Sequence, residues 1–192
     1  MANPLAASIA ALAAPDASAR AAAAAELYEA GRALSEPVVR RWRSDAELAR
    51  LLGGATPQIT VGIAVTPETF ARISAANGSP RQAEVPAEQD AREFELHFDG
   101  GISLDILTTR DPAGSGAVAR YLAKLGEGIQ QVEYRTEDVE RATRIVKERY
   151  SVPPVYPETR PGANGTRINF FLAPTIENGR VLIELYEAPE KT

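Results

Sequence analysis

The chain has no cysteine and one histidine, His97, among its 192 residues. The first absence excludes disulfides, thiolate nucleophiles and thiolate metal sites. The second excludes any centre built on two imidazoles. A Ser-His-Asp triad would have to use His97, and no G-x-S-x-G or P-loop spacing accompanies it. Basic runs are missing too: 21 Lys and Arg stand against 26 Asp and Glu, a net charge of −5. A general nucleic-acid surface, which needs clustered cations against phosphates, is not expected. No apolar run approaches the ~20 residues that span a bilayer. The alanine-rich start, residues 1–14, lacks the basic n-region of a secretory signal. The expectation is a soluble, cytoplasmic chain with no membrane or nucleic-acid partner.

What is present suffices for a real core, with 44% apolar and 24% charged residues. The length fits one domain plus a small extension. Residues 1–54 read as that extension, all helical. Asp16 is placed to cap an alanine-rich helix running to Ala33, and Ser35-Glu36-Pro37 to restart one, since proline is tolerated in a first turn. Ser44-Asp-Ala-Glu47 has capping-box spacing ahead of Leu48, Leu51 and Leu52, and Gly53-Gly54 ends the run. Trp42 reads as a packing anchor. Such a hairpin packs on the main domain or on a second copy, so a homodimer is one expected assembly.

Residues 55–192 change to short strands and short helices. Ile59 to Val65 alternates as a strand. Thr66-Pro67 opens a helix with Phe70 and Ile73 on one face. Arg92 to Phe98 alternates again, and Asp99-Gly100 turns into Ile102 to Leu107. After a short helix near Tyr121 the order repeats. Ile129 to Arg135 is a strand, Thr136 caps a helix through Val146, and Arg167 to Leu172 and Val181 to Tyr186 are strands about a turn at Asn178-Gly179. Asp99-Gly-Gly-Ile-Ser-Leu-Asp-Ile-Leu107 parallels Asn178-Gly-Arg-Val-Leu-Ile-Glu-Leu185, which sets Asp105 against Glu184. Two units of this kind, residues 57–112 and 126–189, point to a duplicated domain rather than a solenoid.

Alternation also divides the strand faces. The apolar sets (Phe94, Leu96, Phe98; Ile102, Leu104, Ile106; Ile168, Phe170, Leu172) are expected under the helices. Opposite them fall Glu93, Glu95 and His97; Ser103 and Asp105; Gln131, Glu133 and Arg135; Arg167, Asn169 and Phe171; and Leu182, Glu184 and Tyr186. Carboxylates crowded on one such face have raised pKa values and become usable as acids or bases. His97 beside Glu95 is a candidate proton carrier.

Gly126-Glu-Gly-Ile-Gln-Gln-Val-Glu-Tyr134 resembles the stretch G-E-G-[IL]-H-H-[IV]-x-[FY] of the methylmalonyl-CoA epimerases, within the vicinal oxygen chelate superfamily. Arg160-Pro-Gly-Ala-Asn-Gly165 is similar to their R-[PI]-G-A-H-G loop, Thr166-Arg-Ile-Asn-Phe170 to the strand after it, and Gly179-Arg-Val-Leu-Ile-Glu-Leu185 to their closing strand. Gly62-Ile-Ala-Val65 and Glu84-Val-Pro-Ala-Glu-Gln89 fit in the first half. The resemblance covers residues 57–188. It implies an α+β fold of paired βαβββ modules whose curved mixed sheets surround a cleft, with the helical segment 1–54 as an addition.

It also implies a metal, with ligand positions at Thr60, Asp105, Gln131 and Glu184. Only Glu184 retains the family's residue type; Thr60 and Gln131 stand where that branch has histidines. An all-oxygen set would suit weakly bound Mg²⁺, Mn²⁺ or Ca²⁺, so a metal-free site is expected. The implied function is an isomerase or lyase that moves a proton on a small acyl or oxoacid substrate. Glu184 is the expected base, Glu93 the opposite acid, and Arg167 or Arg135 the stabiliser of enolate charge, with His97 as a further catalytic candidate. Gln131, Glu133, Arg135, Asn169 and Tyr186 are the expected substrate contacts. The alternative is a non-catalytic protein of the same fold that sequesters a small ligand. An iron dioxygenase, which needs two histidines and a carboxylate, is not supported.

Overall fold

The computed structural model describes residues 4–174 and 180–189; the expected turn at Asn178-Gly179 lies outside them. The chain divides into two compact units, residues 1–31 with 60–130 and residues 32–59 with 131–192. Each contains one of the two repeated modules.

In the first unit, α1 (Ala6–Ala11) precedes the start of a long helix, α2 (Ala17–Trp42). Asp16 caps α2 as its position predicts, accepting the Ala19 N–H at 2.9 Å. Gly31 of α2 faces β1 (Ile59–Ala64), where a Cβ would come within 2.5 Å of Val61 Cγ1. Glycine is what allows that close approach. Thr66 caps α4 (Pro67–Ala76) through the Thr69 N–H at 3.3 Å, with Pro67 in the first turn. Phe70 of α4 meets Phe94 edge-on at 4.7 Å. Phe94 belongs to β2 (Ala91–Phe98), which joins β3 (Ile102–Thr109) through a tight turn with Gly100 and Gly101 both at positive φ. β1 lies parallel to β3 and β2 antiparallel to it, giving the order β2-β3-β1. α5 (Ala117–Leu125) follows.

This module has one strand fewer than expected. Residues 79–86 form no strand of the ladder; the Ala83 N–H donates to the Glu93 carbonyl of β2 at 3.0 Å, and Gln82 Oε1 accepts from Arg92 Nε at 3.1 Å. Pro80 and Pro86 have no N–H to give a neighbouring strand.

The second unit takes the rest of α2, α3 (Ala46–Leu51), β4 (Gly128–Arg135) from Gln131 onward, α6 (Val139–Tyr150), β5 (Arg160–Pro161), β6 (Arg167–Pro174) and β7 (Arg180–Glu187). Its strand order is β4-β7-β6-β5, with β4 parallel to β7 and the other pairs antiparallel. The first and last strands of each module are therefore parallel neighbours, as a duplication requires.

Three local expectations are corrected. The break expected near Ser35 does not occur, and α2 continues through Pro37 to Trp42. Tertiary contacts offset an interior proline that costs about 3 kcal/mol: the Ser35 hydroxyl meets the Tyr134 hydroxyl at 2.7 Å, and Trp42 is buried edge-on against Phe171 at 5.6 Å. α3 is capped by Asp45 rather than Ser44, and α6 by Asp138 rather than Thr136. A carboxylate accepts two amide N–H groups at Asp45, each at 3.0 Å, where the neighbouring hydroxyl turns back to a carbonyl of α2.

The third correction concerns β6. The apolar set Ile168, Phe170 and Leu172 is not the one under the helices. Asn169, Phe171 and Ala173 are fully buried, whereas Leu172 is 46% exposed. The register explains this: Phe171 lies opposite Ile183 and Asn169 opposite Leu185, while Phe170 lies opposite Glu184. Residues directly opposite share a face.

Candidate active site

In the second unit, the face away from α2 and α6 is set by register. Glu133 of β4 stands opposite Glu184 of β7, and Glu184 opposite Phe170 of β6; in the next row Arg135, Tyr186 and Ile168 align. Gln131 precedes Glu133 by two residues and shares its face. Its Nε2 donates to Glu184 Oε2 at 2.7 Å and to Glu133 Oε1 at 3.0 Å. Gln131, Glu133 and Glu184 are 6%, 8% and 8% exposed, so the bridge is shielded from water. Carboxylate oxygens only accept, and so the amide must turn its NH₂ toward them.

Two expected residues of this group lie elsewhere. Arg167 donates to the Glu140 carboxylate of α6 at 2.6 Å and to the Thr159 hydroxyl. Its register neighbour is Glu187, on the side opposite Glu184. Asn169 is fully buried and brackets the loop before β5: Oδ1 accepts from the Tyr156 N–H at 3.3 Å, and Nδ2 donates to the Tyr156 carbonyl at 3.1 Å. The reading of Arg167 as enolate stabiliser and Asn169 as substrate contact fails on the face they occupy. Arg135 and Tyr186 remain on the Glu184 face, with Arg135 donating to the Gln58 side chain at 3.2 Å.

In the first unit, Glu93, Glu95 and His97 of β2 share a face with Asp105 and Ser103 of β3, since Glu95 lies opposite Asp105 and His97 opposite Ser103. Thr60 and Asp105 are buried. Burial first, and the neighbouring Glu95 carboxylate second, push the Glu93 carboxyl up to about 7. That value suits a group that gives and takes protons near neutrality. His97 is exposed. Its Nε2 is 3.0 Å from Glu95 Oε2 and its Nδ1 is 3.2 Å from Ser103 Oγ.

No family model matches the chain, and no curated protein matches it. Solved structures do. The methylmalonyl-CoA epimerase of Mycobacterium tuberculosis is 32% identical over 71% of this chain and 93% of that one, with a TM-score of 0.57. The chain belongs to the methylmalonyl-CoA epimerase-like branch of the vicinal oxygen chelate superfamily. A variant of the Streptomyces coelicolor methylmalonyl-CoA epimerase, in complex with 2-nitronate-propionyl-CoA, is 28% identical over 69% of this chain and 97% of that one, with a TM-score of 0.55. A Bacillus halodurans protein at 24% identity and a TM-score of 0.56 shares the fold.

Against that family, the changed positions acquire a local meaning. In the second unit Gln131 presents N–H groups where the branch presents a ring nitrogen. Among the described residues, no group of three or more His, Cys, Asp or Glu is placed to hold a metal ion. None of their helices is long and apolar enough to cross a membrane. Sequence reasoning put Gln131 and Glu133 beside Glu184 but missed the bridge that joins them. The signal was available in the spacing: residues 131 and 133 share a strand face, and the parallel match to the closing strand sets Glu184 beside Glu133.

Proposed function

We propose that this chain is an isomerase of the vicinal oxygen chelate type that moves a proton at the carbon next to an acyl thioester. Glu184 is the base. The observation that carries this reading is the Gln131 bridge. One N–H of the amide fixes Glu184 Oε2; the other is taken by Glu133, which keeps the amide turned toward Glu184. A base held in one orientation inside a dry face loses little in reaching the transition state. Arg135, on the same face one strand away, is the candidate to meet charge that develops on the thioester oxygen.

The substrate class comes from the relatives. Epimerase structures 28% identical to this chain are complexes with 2-nitronate-propionyl-CoA and with methylmalonyl-CoA. A small acyl ester of coenzyme A is the substrate class proposed here.

The metal-free reading rests on donor chemistry. With its NH₂ turned to two carboxylates, Gln131 has only its neutral amide oxygen left to offer an ion, and that is a weak ligand. No step is therefore assigned to a metal.

The test is exchange of the α-proton of propionyl-CoA and methylmalonyl-CoA in deuterated solvent, followed by NMR. Exchange is expected with the full chain, unchanged by EDTA and lowered at least about 100-fold by Glu184→Gln. Exchange that needs added cobalt would overturn the metal-free reading. Ligand binding without any exchange would leave a sequestering protein instead.

A further inference from the structure

We infer that Arg160 is the anion-recognising residue of the second unit, holding a phosphate-bearing tail of the substrate away from the reacting carbon. This rests on the coenzyme A ester reading above and extends it to a residue and a segment not assigned by it.

Arg160 of β5 lies opposite Ile168, and Ile168 opposite Tyr186, so Arg160 shares the face of Glu184 one row further along. Two strand spacings and one two-residue step separate the positions of Arg160 and Glu184, roughly 12 Å along the sheet. That is too far for Arg160 to meet a group bonded to the reacting carbon. It suits a distal part of the same molecule.

The guanidinium is also held ready. Its Cζ lies 4.1 Å from the centroid of the Tyr156 ring, and Tyr156 meets Phe170 edge-on at 6.0 Å. Phe170 stands opposite Glu184, which ties this aromatic shelf to the proposed base. The Tyr156 backbone is bracketed on both its N–H and its carbonyl by buried Asn169. Gly162, just after β5, packs so closely that a Cβ would fall 2.5 Å from Ile168 Cγ2, which fixes the course of the loop. Among the described residues no carboxylate pairs with Arg160, in contrast to Arg141, Arg149 and Arg167. A cation stacked on a ring leaves the N–H edge of its fork open, and that edge matches phosphate oxygens. An exposed arginine so supported by aromatic and amide groups has the form of a preorganised anion clamp.

The test compares propionyl-CoA with propionyl-pantetheine, which has the same reacting end without the nucleotide phosphates, by calorimetric titration of the full chain. The wild type is expected to bind the coenzyme A ester at least about tenfold more tightly, the scale of one charge-assisted contact. Arg160→Gln should shrink that gap several-fold and leave the pantetheine ester within about twofold, with Arg160→Lys keeping part of it. Tyr156→Leu should also shrink the gap, although it changes no charge. Arg144→Gln, the same charge change on the exposed side of α6, should preserve it. An equal gap in wild type and Arg160→Gln overturns the inference, as does a wild type that does not discriminate the two esters. Proton exchange is measured separately. Exchange with an unchanged gap removes only the clamp, and a gap that depends on Arg160 without exchange removes only the chemistry.

Discussion

Gln131 Nε2 lies 2.7 Å from Glu184 Oε2, and the same nitrogen lies 3.0 Å from Glu133 Oε1. A glutamine thereby joins two carboxylates on neighbouring parallel strands. The family resemblance puts a histidine at this position, whose ring nitrogen would offer one lone pair to an ion. The amide instead turns two N–H groups to the two carboxylates.

Removing the bridge should be costly. Gln131→Leu keeps the side-chain size but deletes both donated bonds to buried carboxylates, each able to cost about 1–3 kcal/mol when lost. Urea denaturation at neutral pH should show a loss within that range, and proton exchange should fall with it. A variant as stable as the wild type would show that the bridge contributes little to the fold.

Glu93 should leave a mark on the pH dependence of stability. Its carboxyl is raised to about 7 in the folded chain, from an ordinary value of 4.5, by burial and then by Glu95. Below 4.5 the group is protonated in both states and has no effect. Between 4.5 and 7 the unfolded chain gives up the proton first, so stability falls as pH rises through that window. Above 7 the loss is complete, on the order of 2 kcal/mol once solvent screening is allowed for. Glu93→Gln should flatten this decline in denaturation curves collected from pH 4 to 8. An unchanged slope would mean that the carboxyl is not perturbed.

The continuity of α2 can be tested at Pro37. In a helix interior, proline is worth about 3 kcal/mol less than alanine, and some of this is returned by its stiffening of the unfolded chain. Pro37→Ala should therefore stabilise the chain by about 2 kcal/mol. If a new helix began at Ser35, the proline would sit in a first turn where it is favourable, and the same change would destabilise. The sign of the shift in melting temperature decides between the two.

The repeat, the order of elements and the polar faces of β2, β3, β4 and β7 were legible in the sequence because the charged and amide residues of each strand that mark the site recur at period two on one face. β6 was not, since Ile168, Phe170 and Leu172 compete with Phe171 and Ala173 for the helix side. Alternation cannot choose between two apolar faces; the register with β7 does. Ser35 suggested a helix start for a similar reason. Its local preference was readable, while its buried contact with Tyr134, 99 residues away, was not. Caps were placed near the right residue at Asp45 and Asp138, each missed in favour of an adjacent or nearby hydroxyl. Of the candidate site, Glu184 with Gln131 and Glu133 was accessible from pattern and family likeness. Arg160 is legible in the sequence only as part of the family-like loop, because its neighbours Tyr156 and Phe170 come together only in three dimensions.

Asn169 connects that correction to function. Its buried amide makes three bonds: two to the Tyr156 backbone and one from the Phe170 N–H at 2.9 Å. It touches no expected substrate position, so its effect on binding must pass through the loop it brackets. Asn169→Ala leaves the Tyr156 N–H and carbonyl without their partner, a loss of about 1–3 kcal/mol in denaturation. A merely structural residue would weaken both thioesters alike, or neither. A positioning residue should reduce the preference for propionyl-CoA over propionyl-pantetheine while Arg160 itself is intact, because the Tyr156 ring no longer holds the guanidinium in place. Stability lost with the preference unchanged would confine Asn169 to the core.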